Sequence, residues 1–146
     1  MDKYESLKLE NQLCFPLYAT SKEVIKRYKP LLDKLDLTYT QYITMMVLWE
    51  NKTMSVKDLG EKLFLDSGTL TPLLKNLESK GLILRERATY DERVLTITLT
   101  EKGILLKDKA LSVPKKISSC INLSLNESLQ LYNLLYKILD DKKRVN

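Results

Sequence analysis

Histidine is absent from all 146 residues. With it go the usual general base near neutrality and the commonest metal ligand, so Ser-His-Asp triads, Cys-His dyads and most zinc or iron sites are excluded. Only two cysteines occur, Cys14 and Cys120, too far apart for a C-x-x-C redox or zinc motif. The expectation is a chain with no metal and no cofactor. Glycine and proline number four each, few for a fold built of turns and short strands, which argues against a sandwich or barrel and for helices. No apolar run approaches the roughly 18 residues that would span a bilayer, and the opening MDKYESLKLE is charged. The expected location is cytoplasmic, where a permanent structural disulfide is uncommon and cysteine pairing is conditional.

What is present points to one helical domain. Hydrophobic residues make up 44% and charged residues 29%, an ordinary globular balance, and 24 Lys+Arg against 19 Asp+Glu leave +5. That excess suits a polyanion partner without demanding one. Leu9, Leu13, Leu17, Val24, Tyr28 and Leu32 follow helical spacing. Pro16 interrupts the series, so the helix either kinks or begins there. Thr38 with Gln41 is a capping box, after which Tyr42, Met46 and Trp49 mark one face of a second helix ending near Asn51.

Val56, Leu59 and Leu63 then line a short third helix. After the link Phe64-Leu65-Asp66, the stretch Ser67 to Ser79 puts Leu70, Leu73, Leu74 and Leu77 on one side and Ser67, Thr71, Pro72, Lys75 and Ser79 away from it, closing at Gly81. Two short helices with a tight connection form a helix-turn-helix candidate. Residues 82–87 (LILRER) and 94–100 (VLTITLT) are β-prone, with the polar ATYDER between them free to turn, giving a two-stranded ribbon in the winged-helix order. Thr100-Glu101 caps a further helix that Pro114 bends or breaks. Ser124 with Glu127 is another capping box, and the last helix carries Leu125, Leu129, Tyr132, Tyr136 and Leu139 as a stripe that needs a partner.

A recognition helix needs exposed hydroxyl, amide and basic side chains to reach base edges. Ser67, Thr69, Thr71, Lys75 and Asn76 supply them, although any amphipathic helix exposes polar groups. The arginines sharpen the reading: of only five (Arg27, Arg85, Arg87, Arg93 and Arg144), three lie in the ribbon and its turn, and a guanidinium at a hairpin tip can enter a minor groove. A solvated hairpin salt-bridged through Glu86, Asp91 and Glu92 is the plainer alternative. Asp91-x-Arg93 can also be an internal ion pair that fixes the arginine for the groove.

These residues carry a family resemblance. DLGEKLFLDSGTLTPLLKNLESKGLILRERATYDERVLTITLTEKG resembles the winged-helix core of the MarR family of dimeric transcription regulators. NQLCFPLYATSKEVIKRYKPLLDKLDLTYTQYITMMVLWE is similar to the OhrR-type organic hydroperoxide sensors of that family, in which a cysteine of the first helix is read by tyrosines of the neighbouring subunit. The likeness runs from the first helix through the wing, with LCF, YKPLL, LTYTQY, LFLDSGTLTPLLK and DER in family order.

The resemblance implies a mainly α fold with a small β-ribbon: dimerisation helices at 5–37 and 101–146 and a winged helix-turn-helix at 38–100, in a single chain of 1–146. It implies a homodimeric repressor, not an enzyme, that binds double-stranded operator DNA as an inverted repeat and leaves it when organic hydroperoxide oxidises Cys14. Ser67, Thr69, Thr71, Pro72, Lys75, Arg85, Asp91 and Arg93 are its DNA-binding candidates. Tyr28 and Tyr39 would donate hydrogen bonds to Cys14 across the dimer, with Tyr18 nearby on its own helix. Taken without the resemblance, these tyrosines read more readily as amphipathic core. A helix starting at Pro16 would also bring its amino end to the Cys14 thiolate. In the two-cysteine branch of these sensors a carboxy-terminal cysteine, here Cys120, traps the sulfenic acid of Cys14 as an intersubunit disulfide; the alternatives are that a small cellular thiol resolves it and that Cys120 is a small buried apolar residue. Two rivals stay open: a MarR-type regulator of a small phenolic ligand, with Cys14 incidental, and a thiol peroxidase, for which a recognisable motif, any His and an Arg near Cys14 in sequence are all missing.

Overall fold

In the computed structural model, residues 2–141 are described, so Arg144 and the rest of 142–146 in the expected dimerisation segment lie outside them. The chain divides into two compact units, Met1–Pro114 and Lys115–Asn146. In the first, two 3-10 turns at Glu5–Leu7 and Leu9–Asn11 precede helix α1 (Cys14–Asp33). The helix begins at Cys14, which puts Pro16 in its first turn, where an amide hydrogen has no intrahelical acceptor to lose, while Pro30 lies inside the helix. Leu9 therefore belongs to a separate turn. Helix α2 (Tyr39–Asn51) starts at the expected capping box, with Gln41 N donating to Thr38 Oγ1 at 3.3 Å and Thr38 N donating to Gln41 Oε1 at 3.0 Å.

Strand β1 (Thr53–Ser55) leads into α3 (Val56–Leu63), which Phe64 ends in the left-handed region at φ 56°. Helix α4 (Ser67–Ser79) then runs to the turn at Gly81, φ 76°. Strands β2 (Ile83–Ala88) and β3 (Asp91–Leu99) follow, and the antiparallel sheet has the order β1-β3-β2. The expected two-stranded ribbon is thus three-stranded, because three residues of β1 pair Thr53 with Thr98 and Ser55 with Thr96. A segment that short carries no periodicity to read in sequence.

The turn is also shorter than the expected ATYDER. Ala88 pairs with Asp91 while Arg87 pairs with Leu95, so Thr89 and Tyr90 make the turn and Glu92, Arg93 and Val94 form a bulge on β3. Helix α5 (Glu101–Ala110), capped by Thr100, packs beside the sheet, and Trp49 Nε1 donates to Gly103 O at 2.8 Å. The core gathers Leu48, Leu59, Leu70, Leu74, Leu77, Ile83 and Ile97, all essentially inaccessible, under the wing and the two short helices.

Helix α6 (Val113–Ser119) carries Pro114 in its own first turn, so the proline starts a new helix instead of bending α5. In the second unit, Ser124 and Glu127 form the expected capping box, Ser124 N donating to Glu127 Oε1 at 2.9 Å and Glu127 N to Ser124 Oγ at 3.1 Å. They open helix α7 (Leu125–Asp141). Its stripe Leu125, Leu129, Tyr132, Tyr136 and Leu139 is exposed, with the Tyr132 and Tyr136 rings 4.7 Å apart.

Candidate functional site

The amino end of α4 is built by Asp66, whose carboxylate accepts from Thr69 N at 2.8 Å. The bond from the Thr69 amide holds the Asp66 carboxyl below its usual range. Burial of Leu70, Leu73, Leu74 and Leu77 fixes the rotation of the helix, which leaves Ser67, Thr69, Thr71, Pro72 and Lys75 exposed. Thr71 Oγ1 also donates back to Ser67 O at 2.8 Å. Asn76, read in sequence as another groove side chain, is exposed as well, and its Oδ1 accepts from Gln41 Nε2 of α2 at 2.7 Å.

On the wing, Arg93 is 90% exposed and its Nε donates to Asp91 Oδ1 at 3.1 Å. This contact, with a further bond from Arg93 N, lowers the Asp91 carboxyl. The internal pair weighed in sequence is therefore formed, but beside the tip and not on it, since the bulge carries Arg93 in β3. An exposed pair of this kind contributes little net stability, so its guanidinium can exchange partners at small cost. Arg85 is differently placed. Its Nε and Nη2 both lie 3.1 Å from Glu78 Oε1, its backbone N donates to Oε2 at 3.1 Å, and these bonds depress Glu78. One edge of the Arg85 guanidinium thus ties the wing to α4, a contact that no local spacing signals.

Cys14 occupies the first turn of α1 and is exposed, as is Cys120, and neither is in a disulfide. Cys120 Sγ donates to Lys116 O at 3.4 Å. Tyr28 and Tyr39 pack on one another, ring centroids 4.9 Å apart, and Tyr42 joins them at 5.9 and 6.5 Å. Tyr18 does not: it is exposed on α1 with Lys22 Nζ 3.4 Å from its hydroxyl. Burial, then repulsion from Tyr39 and Tyr42, pushes Tyr28 up to about 12. Tyr39 is raised by burial, and Tyr42 by burial and then by Tyr39. All three phenols are thus neutral hydroxyl donors at any physiological pH. Within one chain, however, Cys14 in the first turn of α1 and Tyr28 near its other end are separated along the helix by about 21 Å at 1.5 Å per residue.

A polar group missed in sequence joins this region to α4. Gln41, 6% exposed, bonds Asn76, and Lys80 Nζ donates to Gln41 Oε1 at 3.3 Å and to the Asp36 carbonyl. The capping-box spacing flagged Gln41 only as a cap. Among the described residues, no group of three or more His, Cys, Asp or Glu is arranged to hold a metal ion, and no helix is long and apolar enough to cross a membrane.

Comparison with known proteins gives concordant results. The family model for the transcriptional regulators SarA/Rot matches residues 26–110. An organic hydroperoxide resistance transcriptional regulator of Bacillus subtilis (strain 168) is 51% identical over 99% of this chain and 99% of its own length. The HTH-type transcriptional regulator SarZ of Staphylococcus haemolyticus (strain JCSC1435) is 47% identical over 91% of this chain and 90% of its own. Among solved structures, reduced AbfR bound to DNA superposes with a TM-score of 0.80 at 35% identity, covering 98% of each chain. AbfR, a protein of Staphylococcus epidermidis, has also been solved in a disulfide form and, overoxidised, on DNA.

Proposed function

The chain belongs to the SarA/Rot family of MarR-type winged-helix transcriptional regulators, and from that premise we propose that it is a homodimeric repressor switched by organic hydroperoxide at Cys14. The observation that carries this reading is the separation of Cys14 from a cluster of neutral tyrosines on its own chain. A second copy running antiparallel along α1 would set the Cys14 of one subunit against Tyr28 and Tyr39 of the other, and their hydroxyls would donate to the thiolate. Segments 5–37 and 101–146 form the dimer body, and 38–100 reads DNA.

In the groove, Ser67, Thr69, Thr71, Pro72 and Lys75 face base edges and phosphates of each half of an inverted repeat. Arg93, steadied by Asp91, enters the flanking minor groove, while Arg85 supports the wing root and offers its remaining guanidinium edge to the backbone. The Cys14 thiolate attacks the hydroperoxide: an S–O bond forms, the O–O bond breaks, and the alkoxide leaves and takes a proton to become the alcohol. Cys14 is left as sulfenic acid. The Cys120 thiol of the other subunit then forms an S–S bond to it as water departs. Loss of the tyrosine contacts respaces the two reading heads, and each ~1.4 kcal/mol of differential stability weakens operator binding tenfold.

A mobility assay on the DNA upstream of the chain's own coding region tests this. Wild-type protein should shift the fragment in reductant and release it with cumene hydroperoxide, whereas Cys14→Ser should shift it equally and ignore the oxidant. Release of Cys14→Ser by peroxide would place the sensor elsewhere. Release of reduced protein by a phenolic acid would favour a ligand-responsive regulator instead.

A further inference from the structure

We propose that Gln41 is the positioning residue that transmits the state of the tyrosine cluster to the recognition helix; the inference rests on the sensor reading above and adds the route by which it reaches DNA. Tyr39 and Gln41 are the first and third residues of α2, so both sit in its first turn. Tyr39 packs on Tyr28. Gln41 accepts from Thr38 N at 3.0 Å, accepts from Lys80 at 3.3 Å and donates to Asn76 at 2.7 Å.

A capping box needs only an acceptor on this side chain. The bridge to Asn76 is an additional contact, 35 residues away in sequence, to the half of α4 that lies beyond its exposed groove-facing residues. Lys80, just past the end of α4, holds the same joint from the other side: it donates to the carbonyl of Asp36 in the α1–α2 turn and lies 3.6 Å from the Asp36 carboxylate. A buried carboxamide stays hydrogen-bonded, because an orphaned amide in the interior is costly. When Tyr39 shifts, the first turn of α2 shifts with it, and α4 follows before Gln41 gives up Asn76. The coupling element is therefore a short rigid joint and not a general loosening of the fold.

The test uses the full-length dimer in three variants, with two readouts: the ratio of operator affinity in reductant to that after cumene hydroperoxide, and Cys14 oxidation by intact mass. Asn76→Ala removes the bridge but keeps the cap, Gln41→Met removes both, and Gln41→Glu keeps the cap and can accept from Asn76 with its amide turned over. All three should oxidise Cys14 as the wild type does. Asn76→Ala and Gln41→Met should hold the operator after oxidation, with the ratio at least ~tenfold smaller than wild type, while Gln41→Glu responds as wild type. An unchanged ratio in Asn76→Ala, alone if Gln41→Met does not fold, overturns the proposal. A wild type that oxidises Cys14 yet keeps its operator overturns the sensor reading itself and this inference with it.

Discussion

At the scale of single residues, the tyrosine cluster makes a pH prediction that Cys14 does not enter. Below the ordinary tyrosine value of 10.0 the folded and unfolded chains both hold the Tyr28 proton, so stability is insensitive to pH on its account. Between 10.0 and about 12 only the unfolded chain loses it, so stability falls as pH rises through that window and levels off above it. Urea titrations of wild type and Tyr28→Phe at pH 8, 10 and 11 should show a smaller alkaline loss in the variant. Equal losses would mean that Tyr28 does not titrate with folding. On the wing, Arg93→Ala should weaken operator binding roughly tenfold with a shallower salt dependence, as loss of one phosphate-tracking guanidinium predicts, while leaving the thermal melt unchanged. Unaltered affinity at moderate salt would make the Asp91–Arg93 pair a solvated surface feature.

At the scale of elements, the order helix, helix, hairpin is held together by a few close approaches. Gly103, in the first turn of α5, lies so near the Leu82 carbonyl that an added Cβ would overlap it and crowd Leu99 Cδ2. Its own carbonyl receives the Trp49 indole hydrogen bond. Backbone cannot yield as a side-chain tip can, so Gly103→Ala should lower stability by about 1–3 kcal/mol or more. Gly68→Ala, whose Cβ would meet only Asp66 Oδ1 at 3.4 Å, should melt within a degree or two of wild type. Equal melting temperatures for the two variants would contradict the packing of α5 on the β2 approach. The Thr100-Glu101 cap marked α5 as a helix in sequence; nothing in that cap reported that the first turn abuts a backbone carbonyl.

At the scale of the whole molecule, the single chain leaves apolar side chains open to water in both of its units: Leu13 at 83% in one and Leu125 at 79% in the other. Exposed stripes of this extent are the mark of an association surface. Together with two exposed thiols, they give the proposed dimer a chemical signature. Protein treated with cumene hydroperoxide should run as a covalent dimer on a nonreducing gel and return to monomer with dithiothreitol, and either Cys14→Ser or Cys120→Ser should abolish the band. A dimer that survives Cys120→Ser would leave Cys120 a bystander and point to Cys14 pairing with itself. Because a disulfide needs its Cα atoms within about 7 Å, formation of the band would also measure how closely the two chains approach.

Much of this architecture was legible without a structure, for one reason: its determinants are local. The span of α4, Ser67 to Ser79, follows from four leucines at helical spacing and from Gly81, which closes it. Both capping boxes follow from hydrogen bonds that close over three residues, and the apolar stripe of α7 is visible as a pattern whether or not anything covers it. What escaped the sequence depends on partners that the chain brings together only by folding. Strand β1 is three residues long and exists because β3 lies beside it, and the bulge that moves Arg93 off the hairpin tip is a property of two strands in register. Glu78 finds Arg85 across a turn, Gln41 finds Asn76 across 35 residues, and Tyr39 finds Tyr28 where two helices converge. Local spacing and capping set the helices, the β2–β3 hairpin and many of the side chains they display. Folding settled strand β1 and which displayed groups their own chain already engages, because a pairing, hydrogen bond or ring contact between distant segments leaves no periodicity behind.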